Sequence, residues 1–298
     1  MKYRFTSLCR ELKEQFRRRG LILSATISGS TTKIDHLYEV DKLSQQLDMI
    51  NILSYKYYDN LNTYAAHHTD ARTSTNKHDR SLDNTLDHLI HRGAVASKLV
   101  LGLSMFAQTY DLKKPERFWE LGSSVFVGGG QRGKLTDTRG MLAYFEVCKV
   151  KFVNHVCTSQ SQVKAPYGSD GETFIGYDDP NSIKYKIEKF VLGYRMGGFM
   201  INDLGYDDFN KECGHDHFPL VKAARKAARA IEGGKEFKCT NIRTTLPPPT
   251  ERVTERRTTQ PTNRQNERKS SSAQQINFQW RTYFVVVVFL AIFKLLLC

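Results

Sequence analysis

The sequence predicts an α/β fold in which helices alternate with buried parallel strands. The clearest segment begins with the turn sequence GYDDP at 176–180, where proline fixes φ and the acidic pair can cap a helix. Apolar residues then recur at intervals of four, at Ile183, Ile187 and Val191, which is the spacing of one helix face. The continuous apolar run 197–201 that follows is typical of a strand covered on both faces. A helix that leads directly into a buried strand is the unit of a parallel α/β sheet.

The same succession occurs three more times earlier in the chain. In the first helix Leu8, Leu12 and Phe16 form one apolar stripe, and Gly20 ends it. The predicted elements are helices at 6–19, 37–47, 82–92, 181–192 and 217–231, and strands at 21–27, 49–55, 99–106 and 198–202. Four such units amount to half of a (β/α)8 barrel, which would leave strand edges unpaired. We therefore expect either a longer protein or assembly with another half, and we favour the former because open parallel sheets tolerate solvent poorly.

Three regions depart from this pattern. Residues 113–171 mix short apolar runs with many turn residues. Residues 241–275 are rich in Thr, Pro, Arg and Ser and contain too few apolar residues to build a core, which predicts disorder. Residues 283–298 (YFVVVVFLAIFKLLLC) are almost wholly apolar, which predicts membrane attachment. Either a short spanning tail or the removable tail of a lipid-anchor signal fits, and Lys294 counts against both.

The positive charge lies mostly outside the predicted fold. The formal net charge is +13, but residues 1–19 carry seven Lys/Arg against two Glu, and residues 241–282 carry eight against three, so each region contributes +5. A nucleic-acid-binding protein needs a basic stripe on a folded face. A solvated helix face and a basic linker explain the charge instead, and we predict no nucleic-acid partner.

Four segments carry a resemblance to a known family. They are DMINILSY at 48–55, SLDNTLDHLIHRGAVASKLVLGLSMF at 81–106, GMLAYFEVC at 140–148, and residues 174–209. In this order they resemble consecutive blocks of the family 18 glycoside hydrolases, the chitinases and chitinase-like lectins. The resemblance implies a partial (β/α)8 TIM barrel made of strands five to eight. The implied domains are the barrel at 1–235 with a small α+β insertion domain at about 113–175, a disordered linker at 236–282 and the apolar tail at 283–298.

The resemblance also implies a disulfide. In the family, the cysteine of the GMLAYFEVC-like block pairs with the cysteine just after the last strand, and these positions correspond to Cys148 and Cys213. Such a pair implies an oxidising compartment, and Cys157 with Cys239 is a second candidate pair. We therefore expect a protein outside the cell or at its surface, with a secretory signal upstream of Met1. No CxxC pair occurs, so we predict no metal site, and no cofactor.

The family's catalytic motif does not occur in this sequence. Chitinases of family 18 use substrate-assisted hydrolysis, in which a glutamic acid protonates the leaving oxygen while the sugar's own acetamido group attacks the anomeric carbon. These residues belong to a DxxDxDxE motif at the end of strand four, and no such spacing is found here. Because the protonation step then has no donor, we predict no catalytic residue in this chain.

The resemblance assigns substrate-binding positions to the carboxyl ends of the strands, where barrel active sites form. Tyr55 is the family's tyrosine and is expected to hydrogen-bond an acetamide, whereas Lys56 replaces an acid. Phe106 and Gln108 stand where the family has tyrosine and arginine, and Asn202 replaces the tryptophan under the central sugar. These departures predict weak or absent hydrolysis of chitin.

Three functions follow as hypotheses. The first is a chitinase-like protein, catalytically inactive, that binds chitin or N-acetylglucosamine oligosaccharides at the cell surface through a membrane-anchored chain. The second is an active chitinase whose first half is absent from this sequence. The third is a tail-anchored, non-catalytic interaction protein that faces the cytosol. The sequence predicts no oligomeric state.

Overall fold

A computed structural model describes residues 2–72, 80–114, 117–214 and 216–229. The described residues form two sheets, and the first is parallel and has four strands in the order β1-β2-β3-β9. These strands are β1 Ser24–Ser28, β2 Met49–Leu53, β3 Leu99–Ser104 and β9 Gly198–Asn202. The helices are α1 Lys2–Arg18, α2 Thr31–Leu37, α3 Val40–Gln46, α4 Leu82–His91, α5 Tyr144–Val147, α6 Pro180–Lys186 and α7 Pro219–Arg229. The predicted α/β alternation is thereby confirmed.

Burial along the strands follows their position in the sheet. All six residues of β3 are buried, so both faces of this strand are covered. In β2 the buried Ile50 and Ile52 alternate with half-buried residues, so one face of the sheet packs into the main core. Strand β9 was expected to be buried on both faces, but all its residues are half-buried. The reason is that β9 stands last in the described sheet and pairs only with β3.

The helix predicted at 37–47 corresponds to α3, and α2, which was not predicted, precedes it. The sequence predicted a single helix at 37–47, whereas α2 ends at Leu37 and α3 begins at Val40. Tyr38 between them has extended backbone, and its ring packs edge-on against Phe5 with centroids 6.0 Å apart. Its hydroxyl also accepts a hydrogen bond from the Ser28 amide at 3.4 Å. These tertiary contacts hold Tyr38 in an extended conformation, so α3 begins at Val40 and not at Leu37.

The helix before β9 is stabilised by buried apolar side chains and by a capping residue. Ile183, Ile187 and Val191 are buried as the periodicity predicted, and the helix continues beyond α6 as a π-helical turn at Ile187–Leu192. Asp179 caps its first turn by accepting a hydrogen bond from the Ser182 amide at 2.7 Å. Residues 193–197 connect this turn to β9, which begins at Gly198.

A second sheet lies between β3 and α6 in the sequence. It is antiparallel, with strand order β5-β4-β8-β7-β6. Its strands are β4 Phe106–Asp111, β5 Met141–Ala143, β6 Asn154–Val156, β7 Tyr167–Ser169 and β8 Thr173–Gly176. The sheet thus begins at Phe106, earlier than the boundary near 113 that the sequence suggested, and Phe106 starts a strand of this sheet instead of ending a parallel one. The cause is a change of direction at Ser104–Phe106, where the Ser104 hydroxyl and the Phe106 backbone hydrogen-bond each other.

Cys148 and Cys213 form a disulfide, the pairing that the family resemblance implies. It joins the residue after α5 to the loop that follows β9. Cys239 of the second candidate pair, the linker at 236–282 and the apolar tail at 283–298 lie outside the described residues. Within the described part of the chain, no helix has the length and apolar character needed to cross a membrane.

Candidate functional site

The candidate site lies where the parallel strands end. Strands β2, β3 and β9 run in the same direction, so their carboxyl ends meet at one edge of the sheet. Tyr55 follows β2, Phe106 follows β3, and Asn202 is the last residue of β9. The sequence-predicted positions are therefore brought to one side of the molecule by the parallel topology itself.

Tyr55 lies across the sheet at this edge. A Cβ atom on Gly102 would come within 2.9 Å of the Tyr55 ring and within 2.4 Å of the Ile52 carbonyl oxygen, so the absence of a side chain at Gly102 makes room for the ring. Burial, together with the charge of Asp203, raises the pKa of Tyr55 to about 12. The hydroxyl therefore stays protonated at physiological pH and remains able to donate a hydrogen bond.

Phe106 is the centre of an aromatic cluster. Its ring meets Tyr55 edge-on at 6.1 Å and Tyr206 edge-on at 5.8 Å, and it stacks on His68 at 5.2 Å. The Lys56 ammonium lies 5.1 Å from the Phe106 centroid, within cation–π distance. His68 and Tyr206 were not predicted from the sequence, because His68 lies in an irregular segment and Tyr206 ends a single 3-10 turn at Leu204–Tyr206, and neither has a periodicity that signals a contact.

A cleft of about 350 Å³ opens beside this cluster. Its lining combines the loop after β2 with strand β4 and the turn before β5. The lining residues are Lys56, Tyr58, Asp59, Asn60, Leu61, Phe106, Gln108, Thr138, Arg139, Gly140 and Met141. Of the four predicted substrate-binding residues, Phe106 and Gln108 line this cleft. Tyr55 and Asn202 do not line it, but the Tyr55 ring contacts the Phe106 ring.

Asn202 is held at the sheet instead. It pairs with Ser104 in the parallel ladder, and its carbonyl oxygen accepts a hydrogen bond from the Met105 amide at 3.0 Å. This backbone bond stabilises the turn by which the chain leaves β3 for the antiparallel sheet.

Gln108 presents an unused acceptor at the cleft wall. Its Nε2 donates to Asn60 Oδ1 at 3.3 Å, whereas its buried Oε1 has no hydrogen-bond partner among the described residues. The side chain is only 6% exposed, and a buried polar atom without a partner costs free energy unless a ligand or water satisfies it. Gln108 is therefore a residue of the cleft lining whose side-chain amide the described protein uses only in part.

Asn60 is fixed by two glycines that flank the cleft. Its Nδ2 donates to the Arg139 carbonyl oxygen at 3.1 Å. A Cβ on Gly140 would come within 2.5 Å of Asn60 Oδ1, and one on Gly129 within 2.9 Å of the same atom. Both glycines have φ near +75°, a conformation that favours glycine. This close packing holds the amide that in turn orients Gln108.

The charged residues that line the cleft are Lys56, Arg139 and Asp59. Among the lining residues, all of which the structure describes, Asp59 is the only acidic side chain. Its Oδ1 accepts a hydrogen bond from the Leu61 amide at 2.9 Å, which is a turn-stabilising contact. The described residues contain no cluster of His, Cys, Asp or Glu with the geometry of a metal site.

Two buried histidines connect the cluster to the antiparallel sheet. His67 stacks on His68 at 5.8 Å, and its Nε2 donates to the carbonyl oxygens of Pro166 and Tyr177 at 3.0 and 3.1 Å. Burial lowers the pKa of His67 to about 4 and that of His68 well below its usual value. Both rings are therefore neutral at physiological pH and serve as rigid support behind Phe106.

Comparison with known proteins identifies the family. Residues 2–207 match the family described as glycosyl hydrolases family 18. "Probable chitinase 10" of Drosophila melanogaster is 31% identical over 255 residues, covering 82% of this chain and 11% of the fly protein. Human chitinase-3-like protein 2 is 30% identical over 241 residues, covering 76% of this chain and 60% of the human protein.

Solved structures agree with this result. Catalytic domain 2 of the Ostrinia furnacalis group II chitinase superposes with a TM-score of 0.71 at 28% identity, covering 78% of this chain and 62% of that chain. Human YKL-39, described as a pseudo-chitinase with retained chitooligosaccharide binding, gives a TM-score of 0.70 at 27% identity, covering 75% of this chain and 64% of that chain. The chain thus spans less than two thirds of each of these structures and of the human relative. It belongs to glycosyl hydrolase family 18.

Proposed function

We propose that this chain binds chitooligosaccharides in the cleft beside Phe106 and does not hydrolyse them by itself. The place of Gln108 in the lining of the cleft carries the proposal, because a side-chain amide can bind the acetamide and hydroxyl groups of a sugar. The adjacent aromatic cluster supports it, since the faces of sugar rings pack on aromatic side chains through their C–H groups. Human YKL-39, a pseudo-chitinase with retained chitooligosaccharide binding, offers a precedent within the family.

The chemistry of the cleft supports the proposed lack of hydrolysis. The leaving oxygen must be protonated by a carboxylic acid within hydrogen-bond reach. The sequence contains no DxxDxDxE motif, and Asp59, the acidic residue of the lining, already accepts a hydrogen bond from the Leu61 amide. A longer protein that supplies the motif from another segment would be an active chitinase, and this is the alternative against which the proposal is tested.

Isothermal titration calorimetry of the full chain with chitohexaose tests the binding site. The variant Gln108→Leu removes both polar atoms of the amide at nearly constant volume. Because one hydrogen bond contributes about 1 kcal/mol, we expect an affinity about fivefold weaker than that of the wild type. The exposed Gln45→Leu, in α3, is the matched control and is expected to bind as the wild type does.

The same samples are assayed for chitohexaose cleavage. Absence of products together with binding that depends on Gln108 supports the proposal. Turnover by this chain would contradict its non-catalytic part, and equal affinities of the wild type and Gln108→Leu would contradict the assigned site.

We also propose that the protein lies outside the cell or at its surface, attached through its C-terminal segment. The Cys148–Cys213 disulfide supports an oxidising compartment. Labelling of thiols in the native protein before and after reduction tests this location. Free thiols at both positions would favour the third hypothesis, a cytosol-facing interaction protein.

A further inference from the structure

The cleft contains an ammonium group that pairs with no carboxylate among the described residues. Lys56 Nζ lies 5.1 Å from the centroid of the Phe106 ring, and the ion pairs within 4.0 Å among the described residues do not include it. Lys56 has φ 53°, a left-handed conformation that lysine rarely adopts, at the turn that ends β2. The turn and the aromatic ring together hold a positive charge at the cleft.

The other charged groups of the cleft are used by the protein itself. Arg139 Nε donates to the carbonyl oxygens of Gly128 and Gly129 at 3.1 and 3.2 Å, and its Nη2 donates to Asp111 Oδ2 at 3.4 Å. Asp59 stabilises its own turn, as described above. Lys56 is therefore the charged residue of the lining for which the described residues show neither an ion pair nor a hydrogen bond of its charged group.

We propose that the cleft selects anionic amino-sugar oligosaccharides, bearing sulfate or carboxylate groups, over neutral ones, and that Lys56 determines this selectivity. This inference rests on the proposed function, because it concerns the same cleft. A neutral chitooligosaccharide offers an ammonium group only hydroxyl and carbonyl oxygens. A sulfate or carboxylate on the sugar forms a charge-assisted hydrogen bond, which is about twice as strong as a neutral one.

The size of the effect follows from the exposure of Lys56, whose side chain is largely open to solvent. Ion pairs in such positions contribute up to about 1 kcal/mol, which corresponds to roughly fivefold in affinity. Screening by salt weakens an exposed ion pair, so the selectivity must decrease as ionic strength rises. A preference based only on shape would not depend on salt in this way.

The test compares two ligands with the same backbone, chitohexaose and O6-sulfated chitohexaose, by calorimetry on the full chain at low and at physiological ionic strength. The readout is the ratio of the two dissociation constants. We expect the wild type to prefer the sulfated ligand by about fivefold at low salt and by less at higher salt. Lys56→Gln is expected to reduce the ratio to near one.

Lys113→Gln is the matched control. Lys113 Nζ also lies over a phenylalanine ring, 5.7 Å from the centroid of Phe126, but Lys113 does not line the cleft. The variant changes the net charge by the same amount and is expected to keep the ratio of the wild type. A wild-type ratio near one, or a ratio that survives in Lys56→Gln, overturns the inference while chitohexaose binding still supports the proposed function. Failure of both ligands to bind overturns the inference and the proposed function together.

Discussion

At the residue scale, the site depends on neutral polar side chains held behind an aromatic ring. His67 illustrates this role, because its Nε2 donates to two carbonyl oxygens of the antiparallel region while its ring stacks on His68. Burial is the main cause of its lowered pKa of about 4, and Asp178 opposes the shift only in part. The proton that His67 would take up in water is excluded in the folded state.

This exclusion predicts a loss of stability in acid. In the unfolded chain a histidine gains a proton below about pH 6.5, whereas folded His67 stays neutral to about pH 4, so the unfolded state binds more protons in this window. As the pH decreases from about 6.5 to about 4, the free energy of unfolding should therefore fall by about 1.4 kcal/mol for each pH unit through His67 alone. Urea unfolding at a series of pH values measures this slope.

His67→Gln separates this contribution from others. The variant keeps an N–H donor for the two carbonyls but cannot titrate, so its slope should be smaller than that of the wild type. Asp70 acts oppositely, because burial raises its pKa to about 8 and its contribution is lost as pH rises from about 4 to 8. The difference between variant and wild type isolates His67, and the exposed His36→Gln is the control. Identical slopes for wild type and His67→Gln would rule out this account.

At the element scale, the packing of β3 against β2 determines where Tyr55 can lie. Gly102, in the middle of β3, faces the Ile52 carbonyl oxygen and the Tyr55 ring. Replacement by alanine would bring a methyl group within 2.4 Å of that oxygen and 2.9 Å of the ring, closer than real contacts allow. Strand β2 or Tyr55 must then move.

We predict that Gly102→Ala lowers the free energy of unfolding by about 2 kcal/mol, as expected for overpacking of a tight core. It should also weaken chitohexaose binding, because Tyr55 supports the Phe106 ring. Gly176→Ala is the matched control, since Gly176 is also a buried strand glycine but its nearest contact is a His67 ring carbon at 3.2 Å. Equal destabilisation by the two substitutions, measured by thermal and urea unfolding, would argue against the packing described here.

The elements themselves were largely predictable from the sequence. The interval of Ile183, Ile187 and Val191 marks the buried face of a helix because local geometry fixes it. The later start of α3 at Val40 was not predictable, since the extended Tyr38 depends on contacts with Phe5 and Ser28 from other elements. The start of the antiparallel sheet at Phe106 was missed for a similar reason, because the apolar run at 99–106 read as one strand and the turn after β3 depends on hydrogen bonds between Ser104 and Phe106.

The site was predictable only in part. The family resemblance assigned Tyr55, Phe106 and Gln108 to strand ends, and the parallel topology brings these ends together. The supporting roles of His68 and Asn60 depend on ring stacking and on glycines that approach closely, which no spacing in the sequence encodes. Contacts made by irregular segments were therefore the main part of the site that the sequence did not predict.

At the scale of the whole molecule, the Cys148–Cys213 disulfide closes a long loop of chain. The two cysteines are 65 residues apart, and the loop between them includes strands β6 to β8, helix α6 and β9. Cross-linking a loop of this length restricts the unfolded ensemble and is worth about 4 kcal/mol in the chain-entropy account. We therefore predict that Cys148→Ala with Cys213→Ala lowers the free energy of unfolding by about this amount.

Urea unfolding of the purified double variant measures the effect, and substitution is preferred to a reductant because a reductant acts on every disulfide in the chain. Cys9→Ala is the control, since Cys9 is a buried free thiol in α1 and its loss should cost only about 1 kcal/mol through reduced packing. If the double variant unfolds at the same urea concentration as the wild type, the cross-link does not stabilise the fold. In that case the non-covalent contacts of α6, β9 and α7 hold this part of the molecule without it.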